Sequence, residues 1–276
     1  MERSLPSPAD AANILAPTDP YHPDAPPMIP PSDSAPPGLS PHLPPPALER
    51  PWVIGHRGIP ARLPESTLAG FALALDLGAD GVELDVHATS DGVVVVHHDP
   101  VLPDGREIGR HTLAEFHADA GVRDRMPRLA DVLDLAAGRG AAFVEIKGAG
   151  IERLVVSEIE RSAAECAVHA FDHRASLRVR ALAPRLATGV LMAGYLVDSA
   201  HAMRTAGAAT LWQERAFVDE ALVRDVRAAG GQVVAWTVNT ADEVRRLARV
   251  GVAGICTDDV AMARRALDAP DAPEQG

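Results

Sequence analysis

Eight times between Trp52 and Asp268, a short apolar run gives way to a segment of helical period, with glycine or proline punctuating the change. Parallel strands need long crossover connections, so repeated strand–helix units imply a parallel sheet covered by helices. Strands are predicted near Val53–Gly55, Gly81–Val86, Ala142–Ile146, Ala167–Phe171, Thr188–Met192, Ala209–Trp212, Val233–Thr237 and Ala253–Thr257. Helices are predicted near Ser66–Leu77, Leu129–Ala136, Ile151–Ala164, Arg174–Ala183, Val197–Ala206, Asp219–Ala229, Ala241–Val250 and Val260–Asp268. Eight such units in roughly 220 residues fit a closed (β/α)8 TIM barrel of the α/β class better than an open sheet, with the site expected at the carboxyl ends of the strands.

Local signals support these boundaries. Asp172 and Thr240 stand where capping oxygens are wanted, and Gly78, Gly230-Gly231 and Gly251 fall just past helices, where a left-handed residue is favoured. One departure is Asp91-Gly92, a tight hairpin signal that folds Val93–His97 back beside Gly81–Val86. After that hairpin, Val101–Pro127 shows no clear element and is expected to make a short, polar excursion over the barrel mouth.

Residues 1–48 are rich in Pro, Ser, Ala and Asp without an apolar period, which predicts a disordered leader; the barrel is expected over 49–270 and a flexible tail over 271–276. No apolar run stands behind a basic start, so neither a secretion signal nor stable membrane insertion is expected, and a cytoplasmic location is the default. Cys166 and Cys256 sit in apolar segments and read as buried, reduced thiols. A formal net charge of −12 argues against a nucleic-acid partner but leaves room for a small anionic substrate in a local basic pocket.

Parity then places the chemistry. On a strand, Glu83 and Asp85 share one face while Val82, Leu84 and Val86 share the other; Glu145 and Lys147 are similarly set apart from Val144 and Ile146. Around them stand two histidine turns, Gly55-His56-Arg57-Gly58 and His97-His98-Asp99-Pro100. Histidines, cations and paired carboxylates suit metal-assisted chemistry on a phosphate ester, and carboxylate donors without cysteine favour Mg²⁺ or Ca²⁺ over zinc. Lys147 is the chain's single lysine, against 25 arginines, which suggests a position where a compact point charge is needed. Either His97 or His98 could move protons near neutrality. His87, His111, His117 and His169 have no matched partner and read as structural or exposed.

In order, His56-Arg57-Gly58, Pro64-Glu65-Ser66-Thr67, Glu83-Leu84-Asp85-Val86, His98-Asp99-Pro100, Glu145-Ile146-Lys147, Trp236-Thr237-Val238-Asn239 and Gly254-Ile255-Cys256-Thr257-Asp258 resemble the glycerophosphodiester phosphodiesterase family across Pro51 to Leu267. The resemblance implies a (β/α)8 barrel that uses a divalent metal cation to cleave glycerophosphodiesters into glycerol 3-phosphate and an alcohol. It implies Glu83, Asp85 and Glu145 as metal ligands, His56 and His98 as catalytic acid and base, and Arg57 and Lys147 as phosphate contacts. His98 is thereby favoured over His97. Trp236 is expected to wall the glycerol carbons, Trp212 to line the leaving-group side, and Glu65 to brace the metal or the His56-Arg57 turn. Two departures stand out: Ser66 replaces the family's usual Asn, and Pro103-Asp104-Gly105-Arg106 replaces an Arg-Thr-Thr-like stretch.

Two other functions compete. A phospholipase D-like enzyme of the same barrel family, acting on lysophospholipids or sphingolipids, would need an apolar ramp at the mouth, and none is visible in a chain with 4% aromatic residues. A non-catalytic phosphate-binding barrel would keep the fold without the reaction, although every matched catalytic position is filled.

Overall fold

A computed structural model describes residues 50–269. The expected leader, the tail and the outermost residues of the expected barrel segment lie outside them. Nine strands form one sheet: β1 (Trp52–His56), β2 (Gly81–Ala88), β3 (Val94–Val96), β4 (Ala141–Ile146), β5 (Cys166–Ala170), β6 (Ala187–Met192), β7 (Thr210–Glu214), β8 (Gln232–Trp236) and β9 (Gly254–Thr257). Their order is β1-β9-β8-β7-β6-β5-β4-β2-β3, and parallel β1–β2 pairing closes eight of them into a barrel. The ninth, β3, runs antiparallel to β2 beyond Gly92, as the Asp91-Gly92 signal predicts.

Crossovers are supplied by α1 (Leu68–Asp76), α4 (Leu129–Ala136), α5 (Glu152–Arg161), α6 (His173–Leu182), α7 (Ser199–Thr205), α8 (Glu220–Ala228), α9 (Ala241–Val250) and α10 (Val260–Asp268). Most start where a side chain can accept from an early backbone N–H: Asp172 caps α6, Asp198 α7, Asp219 α8, Thr240 α9 and Asp259 α10. The first helix begins two residues later than predicted. Ser66 has φ 58°, incompatible with a helix, and Thr67 is the cap that accepts from Gly70 N–H.

Strand parity divides the apolar residues between two cores. Val82, Leu84, Val144, Val168 and Val190 face outward and pack under the helices. Ile54, Phe143, Ala167, Leu191, Trp212, Val234 and Cys256 face inward and plug the barrel. Each fully buried valine, leucine, isoleucine or phenylalanine among them contributes about 2 kcal/mol by removal from water. Gly81 is required beside the plug, because a Cβ there would stand 2.8 Å from the Phe143 ring and 2.6 Å from the Ala141 carbonyl. Both cysteines are buried free thiols, and burial pushes Cys166 up to about 12, away from reactivity.

Residues 101–127 do more than predicted. They hold a 3-10 turn at Ile108–Arg110 and two short helices, α2 (Leu113–His117) and α3 (Ala120–Arg123). Leu102, Ile108, Phe116 and Met126 pack with Val95 of β3 into a third, separate core, so the segment is a small packed unit and not a featureless polar excursion. Helices of four or five residues carry too little period to be seen in sequence.

Candidate active site

On six strands the inward phase continues past the apolar plug, and on five of them it reaches ionisable groups. Ile54 is followed by His56, Gly81 by Glu83 and Asp85, and Phe143 by Glu145 and Lys147; Ala167 is followed by His169 and Phe171, Val234 by Trp236, and Cys256 by Asp258. Glu83, Asp85 and Glu145 are buried, and the pairing of β2 with β4 sets Asp85 beside Glu145. Burial, with Asp85 and Glu145 as like charges, raises the Glu83 carboxyl well above the ordinary range; Arg57 opposes this. Burial and Asp85 raise Glu145 to about 7 despite Lys147.

Two cations enter this acidic floor. Arg57 Nε lies 3.1 Å from Asp85 Oδ2, and its amide donates to Glu83 Oε2 at 3.2 Å. Its guanidinium also meets Glu65 at 3.2 Å, so Glu65 braces the arginine. Arg57 holds φ 48°, a costly backbone state fastened by the hydrogen bond from Ser66 N–H to its carbonyl. Lys147 Nζ stands 3.0 Å from Glu145 Oε1, 3.6 Å from Asp85 Oδ1 and 5.8 Å from the Phe171 ring centroid. Burial works against its charge, but the two carboxylates win and raise its pKa.

Each of the two expected catalytic histidines has one nitrogen tied to a carboxylate. His56 Nδ1 lies 2.7 Å from Asp258 Oδ1, and His56 Nε2 lies 4.0 Å from Glu83 Oε2. His98 Nδ1 lies 2.8 Å from Asp99 Oδ1, while its Nε2 is 3.2 Å from Lys147 Nζ. A carboxylate only accepts, so Nδ1 carries the proton on both rings. His97 instead turns Nδ1 to the Asp99 carbonyl at 2.8 Å, and the buried His87 reaches the His98 carbonyl at 3.1 Å.

Three sequence expectations change here. Trp212 is the third of the five residues of β7 and is buried in the barrel plug; it is core, and not a leaving-group wall. His169 does not stand apart from the site: it is buried, stacked on Trp212 at 4.1 Å, with Nε2 3.9 Å from Glu83 Oε1. Burial and the charge of Lys147 push its pKa down to about 3, keeping the ring neutral. Exposed apolar side chains also stand on the loops after β5, β6 and β7, at Phe171, Tyr195, Leu196, Val197 and Phe217, where the low aromatic content suggested none. Trp236 packs edge-on against Phe171 at 5.6 Å.

Asp258 and Asn239 belong to the resemblance motifs but had no role assigned from sequence. Asn239 donates to Asp258 Oδ2 at 2.6 Å and accepts from the Asp258 amide at 2.9 Å, clamping the carboxylate that holds His56. For Asp258 the signal is parity, since it follows inward-facing Cys256 by two residues; no such signal marks Asn239.

The donor set fits a divalent cation. Glu83, Glu145 and His169 each offer an atom within 4.8 Å of the others, and both nitrogens of His169 lack a hydrogen-bond partner among the described residues. Repulsion among buried carboxylates is the electrostatic debt that a cation would cancel.

The profile described as the Glycerophosphoryl diester phosphodiesterase family matches residues 56–262. A glycerophosphodiester phosphodiesterase of Caldanaerobacter subterraneus subsp. tengcongensis is 32% identical over 228 residues, spanning 75% of this chain and 93% of that protein. A phosphodiesterase of Oleispira antarctica, solved in complex with the product sn-glycerol-3-phosphate, matches with TM-score 0.72 and 25% identity over 80% of this chain and 98% of that one. A glycerophosphodiester phosphodiesterase of Thermotoga maritima matches with TM-score 0.68 and 26% identity, over 78% of this chain and 97% of that one.

Proposed function

The chain belongs to the glycerophosphoryl diester phosphodiesterase family, and from that premise we propose that it hydrolyses glycerophosphodiesters to glycerol 3-phosphate and an alcohol. The observation that carries the proposal is the convergence, at one barrel mouth, of two buried carboxylates raised above the ordinary range by burial and like charge, two paired cations and two histidines oriented by carboxylates.

Glu83, Asp85 and Glu145 would hold a divalent cation, for which their oxygens alone suit Mg²⁺ or Ca²⁺. When bound, it supplies positive charge to the phosphate oxygens. Arg57 and Lys147 add fixed positive charge beside them, in a site where burial strengthens each interaction. One of His56 and His98 takes a proton at Nε2 from the nucleophile, water or the substrate's own glycerol 2-hydroxyl, and the other delivers one to the departing alkoxide. Asp258 and Asp99 hold the rings at Nδ1, which leaves His56 Nε2 toward Glu83 and His98 Nε2 toward Lys147. Trp236 offers an apolar wall to the glycerol carbons.

Purified protein incubated with glycerophosphocholine, glycerophosphoethanolamine or glycerophosphoglycerol, with Mg²⁺, Ca²⁺ or Mn²⁺, should release glycerol 3-phosphate and stop when the cation is chelated. No release from any pair in that panel would sink the proposal and favour the non-catalytic barrel.

The exposed apolar loops support a second reading, a phospholipase D-like reaction on lysophospholipids. Val197 is fully exposed at the tip of the β6–α7 loop, beside exposed Tyr195 and Leu196. That reading requires choline release from lysophosphatidylcholine to outpace release from glycerophosphocholine. No described helix is long and apolar enough to cross a membrane.

A further inference from the structure

His169 occupies a position that packing alone does not explain. The β4–β5 register pairs it with Glu145, and strand parity points it into the barrel above Ala167. It is 1% exposed. Trp212 stacks on the ring with only 8° between the two planes, and fixes its orientation. Yet neither ring nitrogen has a hydrogen-bond partner among the described residues, and Nε2 faces Glu83 Oε1 across 3.9 Å. A buried polar atom left unpaired is costly, and an apolar side chain would fill the same space without that cost. A ligand bound at the nitrogen would remove that cost. The neighbouring ligand atoms of Glu83 and Glu145, within 4.8 Å, suit a cation as that ligand.

We propose that His169 is a direct nitrogen ligand of the catalytic cation, making this a mixed nitrogen–oxygen centre that binds Mn²⁺ in preference to Mg²⁺ and Ca²⁺. The inference rests on the reading that the acidic floor holds a divalent ion. Imidazole is a softer donor than carboxylate and strengthens binding of first-row transition ions far more than that of magnesium or calcium. The carboxylates of Glu83 and Glu145 keep the site hard enough for manganese. Trp212 acts as a positioning residue, holding the imidazole plane so that Nε2 stays directed at the carboxylates.

The test uses the full chain, stripped of metal and loaded with Mn²⁺ alone. Pulsed electron paramagnetic resonance should show ¹⁴N modulation from a directly bound imidazole, and that modulation should vanish in His169→Phe. Calorimetric titration should show Mn²⁺ binding weakened roughly tenfold or more in the variant, with Mg²⁺ binding changed by no more than about twofold. His169→Asn, similar in shape to the imidazole, replaces the phenylalanine variant if that one does not fold. Bound manganese without ¹⁴N modulation, or modulation that persists in the variant, overturns the assignment of His169 while leaving the cation site standing. Absence of any divalent-ion binding in the parent overturns both.

Discussion

His56 Nδ1 lies 2.7 Å from Asp258 Oδ1, on a carboxylate whose other oxygen takes a hydrogen bond from Asn239. Burial alone would raise the Asp258 pKa, but His56 and Asn239 hold it below the ordinary range. An ionised acceptor keeps the Nδ1 proton in place and leaves Nε2 free to face the site. Asp258→Asn should therefore lower kcat by at least about 100-fold, the low end of a positioned acid or base. KM should stay within about twofold, because no substrate atom is expected to touch Asp258. Asn239→Ala should give a smaller loss in the same parameter. Steady-state kinetics on glycerophosphocholine decides, and an unchanged kcat in Asp258→Asn would remove the carboxylate from the mechanism.

Glu145 gives a pH dependence whose sign is opposite to that of an ordinary ion-paired acid. Its pKa rises from 4.5 to about 7 on folding, so its cost to stability is absent below about 4.5, grows as pH rises, and is complete above about 7. In chelator, Glu145→Gln should melt close to the parent near pH 5 and above it at pH 8, by an energy on the order of 3 kcal/mol. Saturating divalent cation should reverse that order at pH 8 by stabilising the parent. Thermal melts of both proteins at the two pH values check this.

Ser66 stands buried at φ 58° with its hydroxyl unpaired, where the family usually has Asn. Ser66→Gly relieves both faults and should stabilise the protein by about 1 kcal/mol, after allowing for the looser unfolded chain. A denaturant midpoint lower than the parent's would mean that the hydroxyl has a partner in solution.

Lys147 should not tolerate arginine. Its ammonium sits within 3.6 Å of Glu145, Asp85 and His98 together, a convergence that a planar guanidinium cannot reproduce in the same volume. Lys147→Arg is expected to retain the fold by circular dichroism and lose about 100-fold or more in kcat/KM, comparable to removal of a transition-state donor.

The apolar loops make their own prediction. Val197→Asp, at a side chain in full contact with solvent, should leave turnover of glycerophosphocholine within about twofold, as surface changes usually do. If the mouth meets amphiphiles, the same variant should lose several-fold of its activity on lysophosphatidylcholine micelles. Equal effects on both substrates would remove these loops from substrate selection.

The barrel was legible because alternation repeats, and Glu83, Asp85, Glu145 and Lys147 were legible because parity acts within a single strand. His169 and Asp258 were not, because their partners lie on other strands. His56 meets Asp258 only through the β1–β9 register that sets Gly55 beside Thr257, and His169 meets Glu145 only through β4–β5. A lone histidine in Ala167-Val168-His169-Ala170 looks like core until the neighbouring strand is known. The third core escaped for another reason: Leu102, Ile108, Phe116 and Met126 are spaced by turns and very short helices, so no period links them.

That third core has a bearing on how the enzyme would fail. Val94 and Val96 of β3 pack with the main core, whereas Val95 between them packs with the inserted segment. The strand leading to His98 is thus a party wall between a large building and an annexe. Small packed units can open well below the global unfolding energy. On mild heating the annexe would loosen first and release the histidine turn while the barrel stood intact. Activity would then disappear at a temperature where circular dichroism still reported a folded protein, and amide exchange at Phe116 and Met126 would mark the onset.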